Sequence, residues 1–315
     1  MKKNHIHEKP FVPHDISLRD DALHRTKGFH IETFYYDAIF ENHYSIVSLV
    51  NIFTLGCYGL VLTGMFIYKD AKLVKSKRDK ILYQHLAGSE QYPHITIHNK
   101  DIIHLISDKD STPRQYVISM GDTREGFTLR FLQKTSAWKG RTALGEWLVL
   151  PCFEVQGNLY YDEKTIPVQG RGYHDHNIYS IFTPLKMIGY HFGKIATDSL
   201  VITWANVIKS RGNEEHIVVI NKEQKYIHIP HKAIRYTIEK QVKDHGKLIP
   251  KKFRLLVKTD NVTLNVSMEL LNVHYIHMPI LNYWRYHLSN IGEIQIDGIT
   301  QKIDTTEISE LLRFF

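Results

Sequence analysis

The stretch Val155-Gln-Gly-Asn-Leu-Tyr-Tyr-Asp-Glu-Lys-Thr-Ile-Pro-Val-Gln-Gly-Arg-Gly-Tyr-His-Asp-His-Asn-Ile-Tyr179 reads as two β-strands around a turn at Asp162-Glu163-Lys164. The second strand ends in a polar quartet, His174, Asp175, His176 and Asn177, directly after Gly170, Gly172 and Tyr173. Side chains alternate across a strand, so His174, His176 and Ile178 are expected on one face and Tyr173, Asp175 and Asn177 on the other. Gly170 and Gly172 allow a bulge or a close backbone approach beside the quartet.

Outward from this hairpin the chain keeps the same character. Thr33-Phe-Tyr-Tyr-Asp-Ala-Ile-Phe40 is aromatic and β-prone, with Phe34, Tyr36, Ala38 and Phe40 on one face and Thr33, Tyr35, Asp37 and Ile39 on the other. Ile46 to Tyr68 is the most hydrophobic window. It is long enough to span a bilayer, but Gly56-Cys57-Tyr58-Gly59 interrupts it, which predicts two buried strands joined by a tight connection. Short β-like runs follow at Ile95–His98, Ile102–Ile106, Tyr116–Ser119, Phe127–Phe131 and Trp147–Leu150. A second series begins at Leu200–Ile208 and continues through His216–Ile220, Tyr226–Ile229, Phe253–Val257, Val262–Val266 and Leu270–His274. Many short strands separated by turns predict an all-β sandwich or barrel. Asp304-Thr-Thr-Glu307 reads as a capping box that opens a short C-terminal helix, Ile308 to Phe314.

A faint repeat relates Tyr35–Phe40 and Ser45–Val47 to Thr203–Ile208 and His216–Val218, which predicts two related β-domains in tandem. The expected division is an extended arm over residues 1–28, with order beginning at His30, one domain over 29–182 and a second over 183–315. A chain of 315 residues is long for one domain and comfortable for two, and with 43% hydrophobic and 23% charged residues it can bury a sizeable core without metal or disulfide help. Cys57 and Cys152 form no CxxC motif and are expected as small buried residues in a reducing, cytoplasmic setting. The N-terminal Met1-Lys-Lys-Asn-His-Ile-His-Glu-Lys-Pro10 has no apolar signal-peptide core.

The net charge of +7 is concentrated in Lys69 to Lys80 and Lys240 to Arg254, both interleaved with aliphatics and acids. No nucleic-acid-binding signature accompanies it, so no nucleic-acid partner is expected. A peripheral contact with anionic membrane surfaces fits better. No nucleotide-binding glycine loop, G-x-S-x-G elbow or H-E-x-x-H motif is present. Two histidines on one strand face can share an ion, but no third ligand stands beside them, so no metal and no cofactor are expected. The quartet reads either as hydrogen-bonded scaffolding between domains or as a pocket-lining, catalytic group.

The Glu32-Thr-Phe-Tyr-Tyr-Asp-Ala38 opening, the Val155-Gln-Gly-Asn-Leu159 element and above all Gly170-Arg-Gly-Tyr-His-Asp-His-Asn177 resemble the carotenoid 1,2-hydratase (hydroxyneurosporene synthase) family and its lipocalin-like relatives. That resemblance implies two lipocalin-like β-barrels side by side, a hydrophobic small-molecule ligand such as an isoprenoid or lipid, and cofactor-free lyase or isomerase chemistry. Adding water to an alkene needs an acid to protonate carbon, aromatic faces to stabilise the cation and a base to hold water. His174, Asp175 and His176 are the catalytic candidates. Tyr36, Asp37, Tyr173, Asn177 and Trp204 are the substrate-binding ones. The sequence departs from the family pattern at Ile178, where the family carries tryptophan, and at Ala205, where an aspartate is expected. Those departures favour the alternative, a non-catalytic lipid-binding or carrier protein of the same fold.

Overall fold

The computed structural model describes residues 11–25, 28–107, 113–142, 145–179, 183–209, 213–278 and 281–314. The first sheet holds β1 (Phe29–Phe40), β2 (Tyr44–Leu55), β3 (Tyr58–Lys69), β4 (Lys72–Leu82), β5 (Leu86–Gly88), β6 (His94–Ile97), β7 (Lys100–Leu105), β8 (Gln115–Gly121), β9 (Gly126–Gln133), β10 (Trp138–Arg141), β11 (Gly145–Tyr161) and β12 (Lys164–Tyr179). Its strand order is 4-3-2-1-12-11-9-8-7-6-5, with β10 attached to β11. The second holds β13 (Met187–Ala196), β14 (Leu200–Lys209), β15 (Glu214–Lys222), β16 (Lys225–Ile229), β17 (Ile234–Asp244), β18 (Lys247–Lys258), β19 (Val262–Met278), β20 (Leu281–Ile296) and β21 (Ile299–Phe314), in the order 16-15-14-13-21-20-19-18-17. Each sheet curls around its own apolar core, which makes the protein two lipocalin-like barrels in tandem.

Period-two patterning builds these cores. Phe34, Tyr36, Ala38 and Phe40 of β1 face the interior of the first barrel with Phe127, Leu129 and Phe131 of β9. Ile202 and Trp204 of β14 face the interior of the second with Trp284, Tyr286 and Leu288 of β20. The odd positions of β1 and β12 and the matching face of the second sheet form a third cluster, which is the seam between the barrels: Tyr35, Tyr173, Trp147, Phe192, Val207 and Ile308 among others. The window from Ile46 to Tyr68 forms β2 and β3 around a turn at Gly56-Cys57, and no helix among the described residues is long and apolar enough to cross a membrane. The lysine-rich run after it is β4, an exposed edge strand, where charge discourages pairing with another sheet. Lys240 lies on β17, an edge of the second sheet.

Four expectations change. The C-terminal segment is strand, not helix: β21 pairs with β20 from Ile299 to Phe314 and with β13, so the demand of the sheet for a strand at that place overrides the local capping signal. The segment before β1 is not a free arm. Phe11, Ala22 and Leu23 are buried, His14 bridges Lys139, and Asp21 is fully enclosed; Met1–Pro10 lies outside the described residues. The repeat is displaced by one strand, because the two strand orders match β1 with β13 and β2 with β14 rather than β1 with β14. Cys57 is exposed in its turn, whereas Cys152 is half-buried, and both are free thiols.

The corresponding first strands carry the pair that pins the barrels together. The Nζ of Lys194 on β13 lies 2.7 Å from both carboxylate oxygens of Asp37 on β1, and both residues are buried. Removing one partner of such a pair strands a charge and costs about 3–5 kcal/mol, whereas replacing both with apolar groups is often neutral. Lys194→Met is expected to lower unfolding stability by about that amount in denaturant titrations, and Asp37→Leu with Lys194→Met to restore most of it. An equal loss in the single and double variants would show that the pair does not couple the barrels.

Candidate functional site

The polar quartet lies on β12, and the alternation of the strand divides it as the sequence predicts. His174 and His176 point into the first barrel, while Tyr173, Asp175 and Asn177 face the seam. Gly172, two residues before His174, lets Val155 and Phe131 pack against the strand: a Cβ there would lie 2.5 Å from Val155 and 2.6 Å from Phe131. One centre built from His174, Asp175 and His176 together is therefore not what the fold makes. It makes two, on opposite sides of one strand.

On the inner side, both histidines meet carboxylates. His174 hydrogen-bonds the Tyr35 carbonyl through Nδ1 at 2.8 Å and faces Asp21 Oδ1 through Nε2 at 2.9 Å. Tyr116 donates its hydroxyl to the other Asp21 oxygen at 2.7 Å. His176 Nε2 lies 2.7 Å from Glu32 Oε1, and its Nδ1 lies 3.5 Å from Asp21. His24 adds its backbone N–H at 3.0 Å and its ring Nδ1 at 3.1 Å to the same Glu32 oxygen. Tyr36 stacks on His174 and Phe34 on His176, each at 3.9 Å between centroids. Burial disfavours the charged His176 ring, but Asp21 and Glu32 outweigh it and raise its pKa to about 9. Burial likewise opposes ionisation of Asp21 and Glu32, yet the imidazoles beside them hold both carboxyls well below the usual range.

The seam side has the opposite balance. Lys194 serves Asp37 at 2.7 Å and Glu307 at 3.7 Å, and Arg285 serves Glu310 at 3.4 Å. Among the described residues no cation pairs with Asp175. Its oxygens accept hydrogen bonds from Tyr173 OH at 3.0 Å, Trp147 Nε1 at 3.4 Å and Asn177 Nδ2 at 2.7 Å. Burial, reinforced by the nearby Glu310 carboxylate and only partly opposed by those donors, pushes its pKa up to about 8. Burial also raises the carboxyls of Asp37, Glu307 and Glu310 against the pull of the neighbouring cations; Asp175, raised to about 8, is mainly protonated at pH 7. Phe192 packs on Tyr173 and edge-on to Trp147, so the acid stands among aromatic rings. It keeps 6% exposure and Asn177 9%, whereas His174 has none.

Trp204 is in neither place. It lies inside the second barrel, its ring against Gly193 and 5.1 Å from His191. Ala205 beside it faces the seam, opposite Phe192 in the sheet register. Of the substrate-binding candidates, Tyr36 thus belongs to the inner cluster, Asp37, Tyr173 and Asn177 to the seam, and Trp204 to a separate core.

Asp21, His24, Glu32, Lys194 and Arg285 complete these clusters, and none was a candidate from sequence. Glu32 carries a readable signal: it continues the Phe34-Tyr36-Ala38 face two residues upstream, which places a carboxylate on an apolar face. Arg285 sits within Tyr283-Trp-Arg-Tyr286, a cation enclosed by aromatics. Asp21 and His24 carry none, because they reach the site from a segment with no periodicity.

No family model matches the chain, and no curated protein matches it in sequence. Solved structures do match in fold. An AttH-like protein of Nitrosomonas europaea superposes with a TM-score of 0.69 at 12% identity, over 98% of this chain and 100% of the other. Kievitone hydratase of Nectria haematococca gives 0.63 at 10% identity, over 95% and 92%. CghA bound to Sch210972 gives 0.62 at 8% identity, over 91% and 89%. At these identities the likeness establishes the tandem lipocalin-like fold.

The inner cluster predicts a pH dependence. His176 has a folded pKa of about 9, above the ordinary 6.5, so its stabilisation is complete below pH 6.5 and lost as pH rises through 9. The depressed carboxyls act in the other direction, stabilising above their ordinary range and losing that effect as acid protonates them. Calorimetric Tm is expected to fall from pH 6.5 to 9, and to fall less in Asp21→Asn, which lacks one of the carboxylates that hold the charge. An identical slope in the two proteins would contradict the assignment.

Proposed function

We propose that this protein binds an apolar, unsaturated small molecule, an isoprenoid or related lipid, at the seam between its barrels and acts on it as a proton-initiated lyase or isomerase. The observation that carries the proposal is Asp175, a carboxyl that burial and the nearby Glu310 carboxylate raise to about 8, while the seam cations Lys194 and Arg285 pair with other carboxylates. A neutral acid can deliver a proton to an alkene carbon at pH 7, as an ionised one cannot. Protonation breaks the π bond, forms a C–H bond and leaves a tertiary cation, with Asp175 as carboxylate. The faces of Tyr173, Trp147 and Phe192 suit that cation. The cation, directly or after closing on a second alkene, then takes water that gives up a proton or loses a neighbouring proton, and that proton returns to the carboxylate. His174 and His176 do not take part at this position, since they face the other side of β12. The hydratase among the fold neighbours fits this chemistry without identifying the substrate.

The second reading, a carrier that binds without reaction, draws on Ala205, which lines the same seam and supplies no carboxylate where the resembling family is expected to have one.

The test is incubation with linear isoprenoids in D₂O followed by mass spectrometry. Wild type is expected to place solvent deuterium on carbon, with a rate that falls as pH rises through about 8 and Asp175 ionises. Asp175→Asn should lower that rate by about 10²- to 10⁴-fold, the usual contribution of a general acid. Its Tm should be higher than that of wild type at pH 8, because a carboxyl held at a raised pKa destabilises the fold increasingly as pH climbs above its unfolded value. Binding without deuterium incorporation would leave the carrier reading; incorporation that survives in Asp175→Asn would remove Asp175 from the chemistry.

A further inference from the structure

We infer that His24, Glu32 and His176 form a binding site for one divalent transition-metal ion, of the zinc class, where the segment before β1 covers the first barrel. The ligand atoms of the three residues all lie within 4.8 Å of one another. Glu32 Oε1 is the focus, with His176 Nε2 at 2.7 Å and His24 Nδ1 at 3.1 Å. Ligands at about 2.0–2.1 Å from a tetrahedral zinc stand about 3.3 Å apart, so the two Glu32 pairs already lie within about 0.6 Å of that spacing, and the two imidazole nitrogens are no more than 4.8 Å apart. Two imidazoles and a carboxylate are the donor types such ions select.

The surroundings are those of a metal ligand. A metal-bound histidine usually gives its second nitrogen to a carboxylate, which sets the tautomer and aims the ring. His176 Nδ1 points at Asp21, 3.5 Å away, and Asp21 is itself held by His174 Nε2 and Tyr116 OH. His30 Nε2 lies 3.4 Å from the other Glu32 oxygen and fixes the carboxylate in its plane. Phe34 stacked on His176 locks that ring. Glu32 and His176 are fully enclosed, but the His24 side chain is 32% exposed, which leaves a route of entry and room for water or another exogenous ligand. The His24 backbone N–H donates to Glu32 at 3.0 Å and helps hold the carboxylate toward the two imidazoles.

The sequence offers no third ligand beside His174 and His176. The fold supplies Glu32 from 144 residues upstream of His176, and His24 from the packed leading segment. An ion bound there ties that segment to β1 and β12. This site lies on the opposite side of β12 from Asp175, so it stands or falls independently of the seam chemistry.

A second group, His94, Asp101 and His104, brings comparable atoms together on β6 and β7, but its Asp101 side chain is 59% exposed and it serves as the internal control. Full-length protein is loaded with zinc, dialysed against a weak chelator and assayed for metal by mass spectrometry. Wild type is expected to retain about one zinc per chain and Glu32→Gln less than a tenth of that. His24→Ala, which changes a half-exposed residue and should leave the barrel folded, is expected to lose zinc equally. His104→Ala should retain it. With cobalt as probe, visible d–d bands should appear in wild type and vanish in His24→Ala, and zinc should raise the Tm of wild type but not of His24→Ala. No retained metal in wild type, retention unchanged in His24→Ala, or loss in His104→Ala alone would each overturn the assignment.

Discussion

The seam between the barrels buries Asp37, Asp175, Glu307 and Glu310 with Lys194 and Arg285, more carboxylates than cations. Enclosed charges must be paired or neutralised, and with two more carboxylates than cations burial raises all four carboxyls, Asp175 to about 8. Geometry decides which of them has an ion pair. Lys194 reaches Asp37 on both oxygens and Glu307 from the side; Arg285 reaches Glu310 while its other donors take the hydroxyls of Tyr68 and Tyr283. Among the described residues Asp175 is reached by neutral donors alone. The tandem arrangement creates this condition, because corresponding first strands place Asp37 and Lys194 against each other across the seam.

The inner face of the same strand shows how strongly neighbours govern such groups. Asp21 and Glu32 are as enclosed as Asp175, yet their carboxyls are held down because imidazoles stand beside them. Asp175 differs not in burial but in company. β12 therefore presents an ionised cluster to the first barrel and a neutral acid to the seam, separated by the thickness of one strand. The inner cluster also fastens the leading segment, since Asp21 and His24 both come from it.

Much of the architecture was legible in the sequence because it rests on period-two patterning. The faces of β1, the break at Gly56-Cys57, the hairpin turn at Asp162-Glu163 and the division of the quartet all follow from alternation and turn chemistry. Asp304-Thr-Thr-Glu307 misleads because a capping box is a local signal and the strand there is imposed from β13 and β20. The inner cluster was half legible: Glu32 sits on the face that Phe34 and Tyr36 define, but Asp21 and His24 come from an irregular segment that only tertiary packing places. Seam partners such as Lys194 were not legible at all, since which two charges meet across two barrels depends on how the barrels dock.

The most direct test of this account is the protonation state of Asp175. Carbon-13 NMR of protein labelled at the aspartate side-chain carboxyl, titrated from pH 4 to 10, is expected to show one resonance with a midpoint near 8 that disappears in Asp175→Asn. A spectrum in which every aspartate is already ionised by about pH 5, close to the ordinary value, would contradict it.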